Sequence, residues 1–347
     1  MRYQVEIIPR ELHFKRPART SRGAYTVRSL KYVKVTDLAT GRIGIGECAL
    51  LPDLSCDAVP QVDGVLQEAC LHLAVTGEID EEALLSYPSV LFGLETALQH
   101  LRAGSFRLWD TPFSRGQQGI PINGLIWMAP YEEMLQSIEQ KLEAGFHCIK
   151  LKIGAIDFED ELALLAHIRR RFSPDQITLR VDANGAFSPQ EAPEKLKRLA
   201  EYGLHSIEQP IRAGQWQEMG KLCSESPIPI ALDEELIGVN RTAEKVALLD
   251  TIRPDYMILK PSLHGGIRGS EEWIELAGKW GIDYWITSAL ESNVGLNAIA
   301  QWCATLQPDK PQGLGTGQLF TDNIVMPLLI EKGCLWCTDD SFQLNID

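Results

Sequence analysis

The sequence predicts an α/β protein: a (β/α)8 barrel preceded by a smaller α+β domain. Three observations predict it. From about residue 120, short β-rich runs alternate with amphipathic stretches. The repeat is roughly 25 to 30 residues, the length of one strand, one helix and two short loops. Acidic residues and lysines recur at the C-terminal ends of these runs, where barrel enzymes carry their sites.

In chain order, residues 1–115 read as the α+β domain. Segments 3–12 and 29–35 alternate like strands, 41–47 is a glycine-rich turn and strand feeding a loop, and 60–76 and 89–103 read as helices. The barrel is expected over 116–320. Its strands are expected at 121–127, 147–153, 177–183, 205–210, 228–234, 255–261, 282–289 and 312–319. Helices fit 131–144, 158–171, 189–202, 242–249, 270–280 and 294–306, with a weaker helix near 215–223. A doubly wound open sheet would more often carry a glycine-rich phosphate turn after its first strand, and none is present. The tail, 321–347, breaks the repeat and is expected to fold back onto the N-terminal domain, completing a cap over the barrel.

Composition narrows the function. The 347 residues suffice for about two domains, and 45% hydrophobic with 23% charged residues suits a globular chain. A net charge of -14 argues against nucleic-acid or anionic-membrane partners but leaves a small anionic substrate open. No apolar run is long enough to span a bilayer, and Met1 to Glu6 lacks a signal peptide's apolar core, so a cytoplasmic location is expected. The oligomeric state is not legible. Eight cysteines are scattered, which suits reduced packing residues. Cys334 and Cys337 have the spacing of a metal or redox pair but no second pair to complete a zinc site.

The chemistry is carried by the strand ends. In Cys148-Ile149-Lys150-Leu151-Lys152-Ile153, the two lysines share one strand face and the aliphatic residues the other. Mutual repulsion and burial are each expected to lower a lysine pKa toward that of a neutral base. An exposed edge strand with solvated lysines is the plainer alternative. Asp182, Glu208 and Asp233 end three consecutive strands and are expected to converge. Carboxylates brought together repel unless a cation holds them, and an all-oxygen set favours Mg2+; single acids there could equally cap the following helices. Lys260 ends the next strand, across the ring from Lys150 and Lys152. A divalent cation bound to a substrate carboxylate, with a lysine on each face, suits proton abstraction beside that carboxylate. Epimerisation, β-elimination and cycloisomerisation all follow from such a step.

This set resembles the muconate-lactonizing subgroup of the enolase superfamily, over nearly the whole chain including an N-terminal capping domain. The resemblance implies an enolase-like, modified barrel, with Lys152 as base, Asp182, Glu208 and Asp233 as Mg2+ ligands, and Lys260 as the opposed lysine. Segments 288–295 and 313–320 resemble members that eliminate water from 2-succinyl-6-hydroxy-2,4-cyclohexadiene-1-carboxylate in menaquinone biosynthesis. That implies Lys150 as a tuning group paired with Glu234, Asn184 as a donor behind the metal ligands, and Ser262, Ser288 and Gly315 as further positions near substrate. The resemblance extends to two loops closing over the substrate, 16–23 and 48–55, where Arg19, Ser21 and Arg22 could meet a succinyl carboxylate. Dipeptide-epimerising members often carry Asp-x-Asp near the eighth strand; Gly315, Thr316 and Gly317 stand there instead, which weighs against that activity. Racemisation of N-acylamino acids and muconate-type cycloisomerisation stay open, with a non-enzymatic ligand-binding barrel as the rival of another class.

Overall fold

The structure, a computed structural model, describes residues 1–20, 23–338, 344 and 346, with backbone alone at Arg19, Thr20 and Gly23. The strands β1 (Tyr3–Thr20) and β2 (Gly23–Asp37) form a long antiparallel ribbon, and β3 (Ile43–Cys48) pairs with β2. Both ribbon strands outrun their apolar alternation, because pairing resumes beyond a register shift between His13 and Ala18. Two helices, α1 (Val62–Thr76) and α2 (Pro88–Ala103), cover one face and bury Val33, Val35, Leu73 and Leu94. The glycine-rich run explains how closely α2 approaches: a Cβ on Gly46 would lie 1.9 Å from the Gly93 carbonyl oxygen.

After β4 (Ile120–Pro121), strand and helix alternate: β5 (Gly124–Ile126), α3 (Tyr131–Glu143), β6 (Cys148–Lys152), α4 (Phe158–Arg169), β7 (Thr178–Asp182), α5 (Ala192–Ala200), β8 (Ser206–Glu208), α6 (Trp216–Glu225), β9 (Ile230–Leu232), α7 (Thr242–Ile252), β10 (Tyr256–Leu259), α8 (Gly266–Gly278), β11 (Asp283–Ile286) and α9 (Asn293–Thr305). Strands β5 to β11 lie side by side in sequence order, all parallel. Ile149, Leu151, Leu179, Val181 and Leu259 face the helices in the main core, which sends the alternate residues, including Lys150 and Asp182, into the ring.

The eighth strand expected at 312–319 does not form. Its place is taken by two parallel bridges, Ile122 with Gln312 and Thr287 with Gly313. The reason is local. Gly313, Gly315 and Gly317 deprive the segment of side chains that stabilise a strand. A Cβ on Gly313 would also lie 2.4 Å from the Thr287 hydroxyl. The ring is nevertheless closed between β11 and β5.

Beyond the barrel, Phe320 bridges Phe14, and Thr321 N–H donates to His13 O at 2.8 Å. The hairpin β12 (Leu328–Glu331) and β13 (Cys334–Cys337) then pairs through β13 with β4. The tail thus touches the ribbon and pairs with β4, the short strand just before the barrel's first strand β5. Cys334 and Cys337 both lie in β13, with Cys337 buried. Among the described residues, no helix is long and apolar enough to cross a membrane.

The N-terminal domain is docked by carboxylates at the N-termini of barrel helices. Glu95 accepts from Ile267 N–H at 2.6 Å and Arg268 N–H at 3.2 Å at the start of α8. Glu47, fully buried, accepts from Ser292 N–H and Gly295 N–H, both at 2.8 Å, and from the Ser292 hydroxyl, at the start of α9. Burial pushes the Glu47 carboxyl up to about 7, helped by the nearby Glu291 charge and opposed by these donors. The folded protein therefore binds more protons than the unfolded chain between the ordinary carboxyl range and about pH 7. Glu47's contribution to stability is full at the acid end of that window and lost as pH rises through it, a swing on the order of 3 kcal/mol. Glu47→Gln is expected to flatten the fall in unfolding free energy between pH 5 and pH 8, measured by denaturant titration; an unchanged slope contradicts this account.

Candidate active site

The charged strand ends meet at the C-terminal mouth of the ring. The register aligns Lys152 with Asp182 across β6 and β7, and Asp182 with Glu208 across β7 and β8. Asp233 and Lys260 immediately follow β9 and β10. Three strands lie between β6 and β10 in the closed seven-strand ring, so Lys152 and Lys260 come from opposite sides.

Lys150 Nζ lies 3.1 Å from Asp182 Oδ2 and closely pairs with Glu208. Lys152 Nζ lies 2.9 Å from Asp182 Oδ2 and donates to Asn184 Oδ1 at 2.7 Å. Lys260 Nζ closely pairs with Asp233. Asn184 passes the network on, donating through Nδ2 to Glu234 Oε1 at 2.9 Å. Glu234 is therefore Asn184's partner, where Lys150 was expected. The backbone of Asn184 is left-handed, φ 44°, a conformation asparagine tolerates better than most residues.

The electrostatics correct the expectation for Lys150. Burial acts to lower its pKa, but Asp182 and Glu208 outweigh burial and hold it above the ordinary lysine range. Burial is outweighed in the same way at Lys260, chiefly by Asp233. Among the acids, burial would raise Asp182, but Lys150 and Lys152 hold it well below the usual carboxylate range. Burial and the Asp182 charge push Glu208 far up despite Lys150. The cluster sets four carboxyl groups, Asp182, Glu208, Asp233 and Glu234, beside three lysine amines, Lys150, Lys152 and Lys260.

Among the described residues, no three histidine, cysteine or acidic side chains stand together as a preformed metal cluster; the lysines stand between the acids. The donor set nevertheless fits a hard cation. Glu208 Oε1, Asp233 Oδ1 and Glu234 Oε2 are buried and have no hydrogen-bond partner. Buried carboxylate oxygens without donors are what an oxygen-seeking divalent ion would satisfy.

A cavity of about 800 Å3 opens above the cluster, the size of a small-molecule site. Its walls include Trp127, Ser288 and Gly315 from the barrel, and Tyr25, Leu51 and Leu54 from the N-terminal domain. Ser288 shares a 2.6 Å hydroxyl–hydroxyl bond with Thr316. Ser262 is buried and donates to Glu291, away from the cavity. The Arg19 side chain, Ser21 and Arg22 lie outside the described residues.

Sequence reading passed over two residues. Trp127 ends the first barrel run, and its ring centroid is 6.0 Å from Lys152 Nζ. Gln209, fully buried, accepts from Asp233 N–H at 3.2 Å and donates to Glu235 at 2.9 Å, tying the ends of β8 and β9 together. Its position directly after Glu208 was the available signal.

Comparison with known proteins accords with this architecture. Residues 133–341 match the "Enolase C-terminal domain-like" family. The chain is 48% identical, over 94% of its length and 96% of the relative's, to an o-succinylbenzoate synthase of Desulfotalea psychrophila. The crystal structure of MenC from the same organism superposes with a TM-score of 0.85 at 43% identity, covering 97% of this chain and all of that one. An N-succinylamino acid racemase of Thermus thermophilus is 30% identical, over 82% of this chain and 78% of the relative. The chain belongs to the o-succinylbenzoate synthase family, carbon–oxygen lyases of the muconate-lactonizing subgroup of the enolase superfamily.

Proposed function

We propose that the protein eliminates water from 2-succinyl-6-hydroxy-2,4-cyclohexadiene-1-carboxylate to form 2-succinylbenzoate, with Mg2+, as a cytoplasmic step of menaquinone biosynthesis. The observation that carries the reading is the pair Lys152 and Lys260, rooted on opposite sides of the ring around buried carboxylates with unpaired oxygens.

Asp182, Glu208 and Asp233 would hold the ion, which when bound supplies positive charge beside the substrate carboxylate. Lys152, as the free amine, removes the proton on the carbon bearing that carboxylate. The same ammonium then returns a proton to the departing hydroxyl, so the C–O bond breaks with loss of water and both events occur on one face. Lys260 stays protonated against the other face, a role that suits its raised pKa, and steadies the electron-rich ring. Asn184 holds Lys152 in place through its 2.7 Å bond. Formation of the aromatic ring drives the step.

The test is to supply the cyclohexadiene with Mg2+ and follow loss of its ultraviolet band, with a chelator control. Loss that persists in chelator, or no loss at all, counts against the proposal. A second reading, racemisation of N-succinylamino acids, is favoured by the opposed lysines, because deprotonation on one face and reprotonation on the other needs one on each. Solvent deuterium entering N-succinylamino acids from both enantiomers, with no dehydration of the cyclohexadiene, would select it.

A further inference from the structure

Arg28, on β2, takes no part in the chemistry above. It is 2% exposed and spends its guanidinium on backbone carbonyls from both domains. Nε donates to Leu290 O at 3.1 Å and Nη2 to Ala289 O at 3.4 Å. Nη1 also donates to Leu50 O, and Nη2 to Ala49 O. The first pair lies in the loop after β11, the second in the loop after β3.

Both loops contribute to the wall of one cavity. Leu51 and Leu54 line it from the N-terminal domain; Ser288, Ala289 and Leu290 line it from the barrel. The barrel loop is not held by its own backbone preference, since Leu290 stands at φ 63°, a left-handed conformation unfavourable for leucine. It is held by its partners. Glu291 accepts from Ala289 N–H at 2.6 Å, Glu47 secures Ser292, and Tyr32 donates to the Ser292 hydroxyl at 3.0 Å. Of these groups, Arg28 alone is seen to grip both loops. The planar fork suits this task, because its donors point in fixed directions and can reach carbonyls on two sides at once.

We infer that Arg28 is a positioning residue that sets the separation of the two cavity loops, and so determines how tightly the substrate's side arm is held, without touching the reacting atoms. The inference rests on the proposed reaction only for its kinetic readout. Lys152 and the acids are anchored on strands that Arg28 does not contact. Loosening the walls should therefore weaken substrate binding and leave the chemical step nearly intact.

The experiment compares wild type with Arg28→Lys and Arg28→Met, in steady-state kinetics on the cyclohexadiene and in amide hydrogen exchange of the full chain. Arg28→Met is expected to raise KM about tenfold or more, with kcat changed less than threefold, and Arg28→Lys to recover part of the loss. Exchange is expected to rise together in 49–54 and 288–291, with β6 to β8 unchanged. A fall in kcat at constant KM, or faster exchange in only one loop, overturns the inference. If Arg28→Met fails to fold, Arg28→Lys carries both measurements: unchanged KM together with unchanged protection in both loops likewise overturns it. If the protein proves inactive on the cyclohexadiene, the proposed reaction fails while the exchange result still decides the role of Arg28.

Discussion

Lys152→Ala is expected to lower turnover of the cyclohexadiene by about 10^2–10^4-fold, the contribution of a well-placed general base. Its effect on the metal should run the other way. Lys152 Nζ lies 2.9 Å from Asp182 Oδ2, so removing it takes a competing cation away from a proposed ligand. Mg2+ should bind at least as tightly to the variant, as read by isothermal titration, while steady-state rates collapse. Unchanged turnover ends the assignment of Lys152 as base. Lost metal binding makes its role one of shaping the ligand set instead.

The second large effect is expected at Asp233. Its Oδ2 is engaged by Lys260 and its Oδ1 has no hydrogen-bond partner. Asp233→Asn deletes one unit of negative charge from the proposed ligand set and leaves Lys260 without its counter-charge. Apparent Mg2+ affinity should fall by about 100-fold or more, because replacing a ligand should do more damage than the 10–100-fold loss typical of changing its supporting partners. Part of the activity should return at high Mg2+. A titration of rate against Mg2+ that superposes on wild type would remove Asp233 from the ligand set.

Much of the barrel was legible because its signals are local. Strand alternation in 148–152 and amphipathic periodicity in 131–143 each lie within a few residues. Asp182, Glu208 and Asp233 were legible because strand ends repeat at one period, and the barrel topology fixes where those ends meet. What was not legible depends on partners distant in sequence. The pKa direction of Lys150 was misjudged, because the neighbouring Lys152 is visible in the sequence while Glu208, 58 residues away, is visible only in space. The roles of Glu47 and Arg28 were invisible for the same reason: their partners, Ser292 and Leu290, lie 245 and 262 residues downstream. The eighth strand was overcalled, since its place in the repeat was right but its glycines deny it the side chains a strand needs.

The closure at Gln312 has a mechanical consequence. Its backbone N–H donates to Pro121 O at 2.8 Å and its carbonyl accepts from Asn123 N–H at 2.9 Å. Its side-chain oxygen accepts from Ile286 N–H at 2.7 Å. Gly313 adds its N–H to Ile286 O at 2.8 Å, so two neighbouring residues lace the two margins of a rolled seven-strand sheet, like a pair of stitches in a tube of cloth. Such a tube can part along its seam without any of its seven long staves letting go of a neighbour. That seam runs beside Ser288 and Gly315, which line the cavity above the charged cluster.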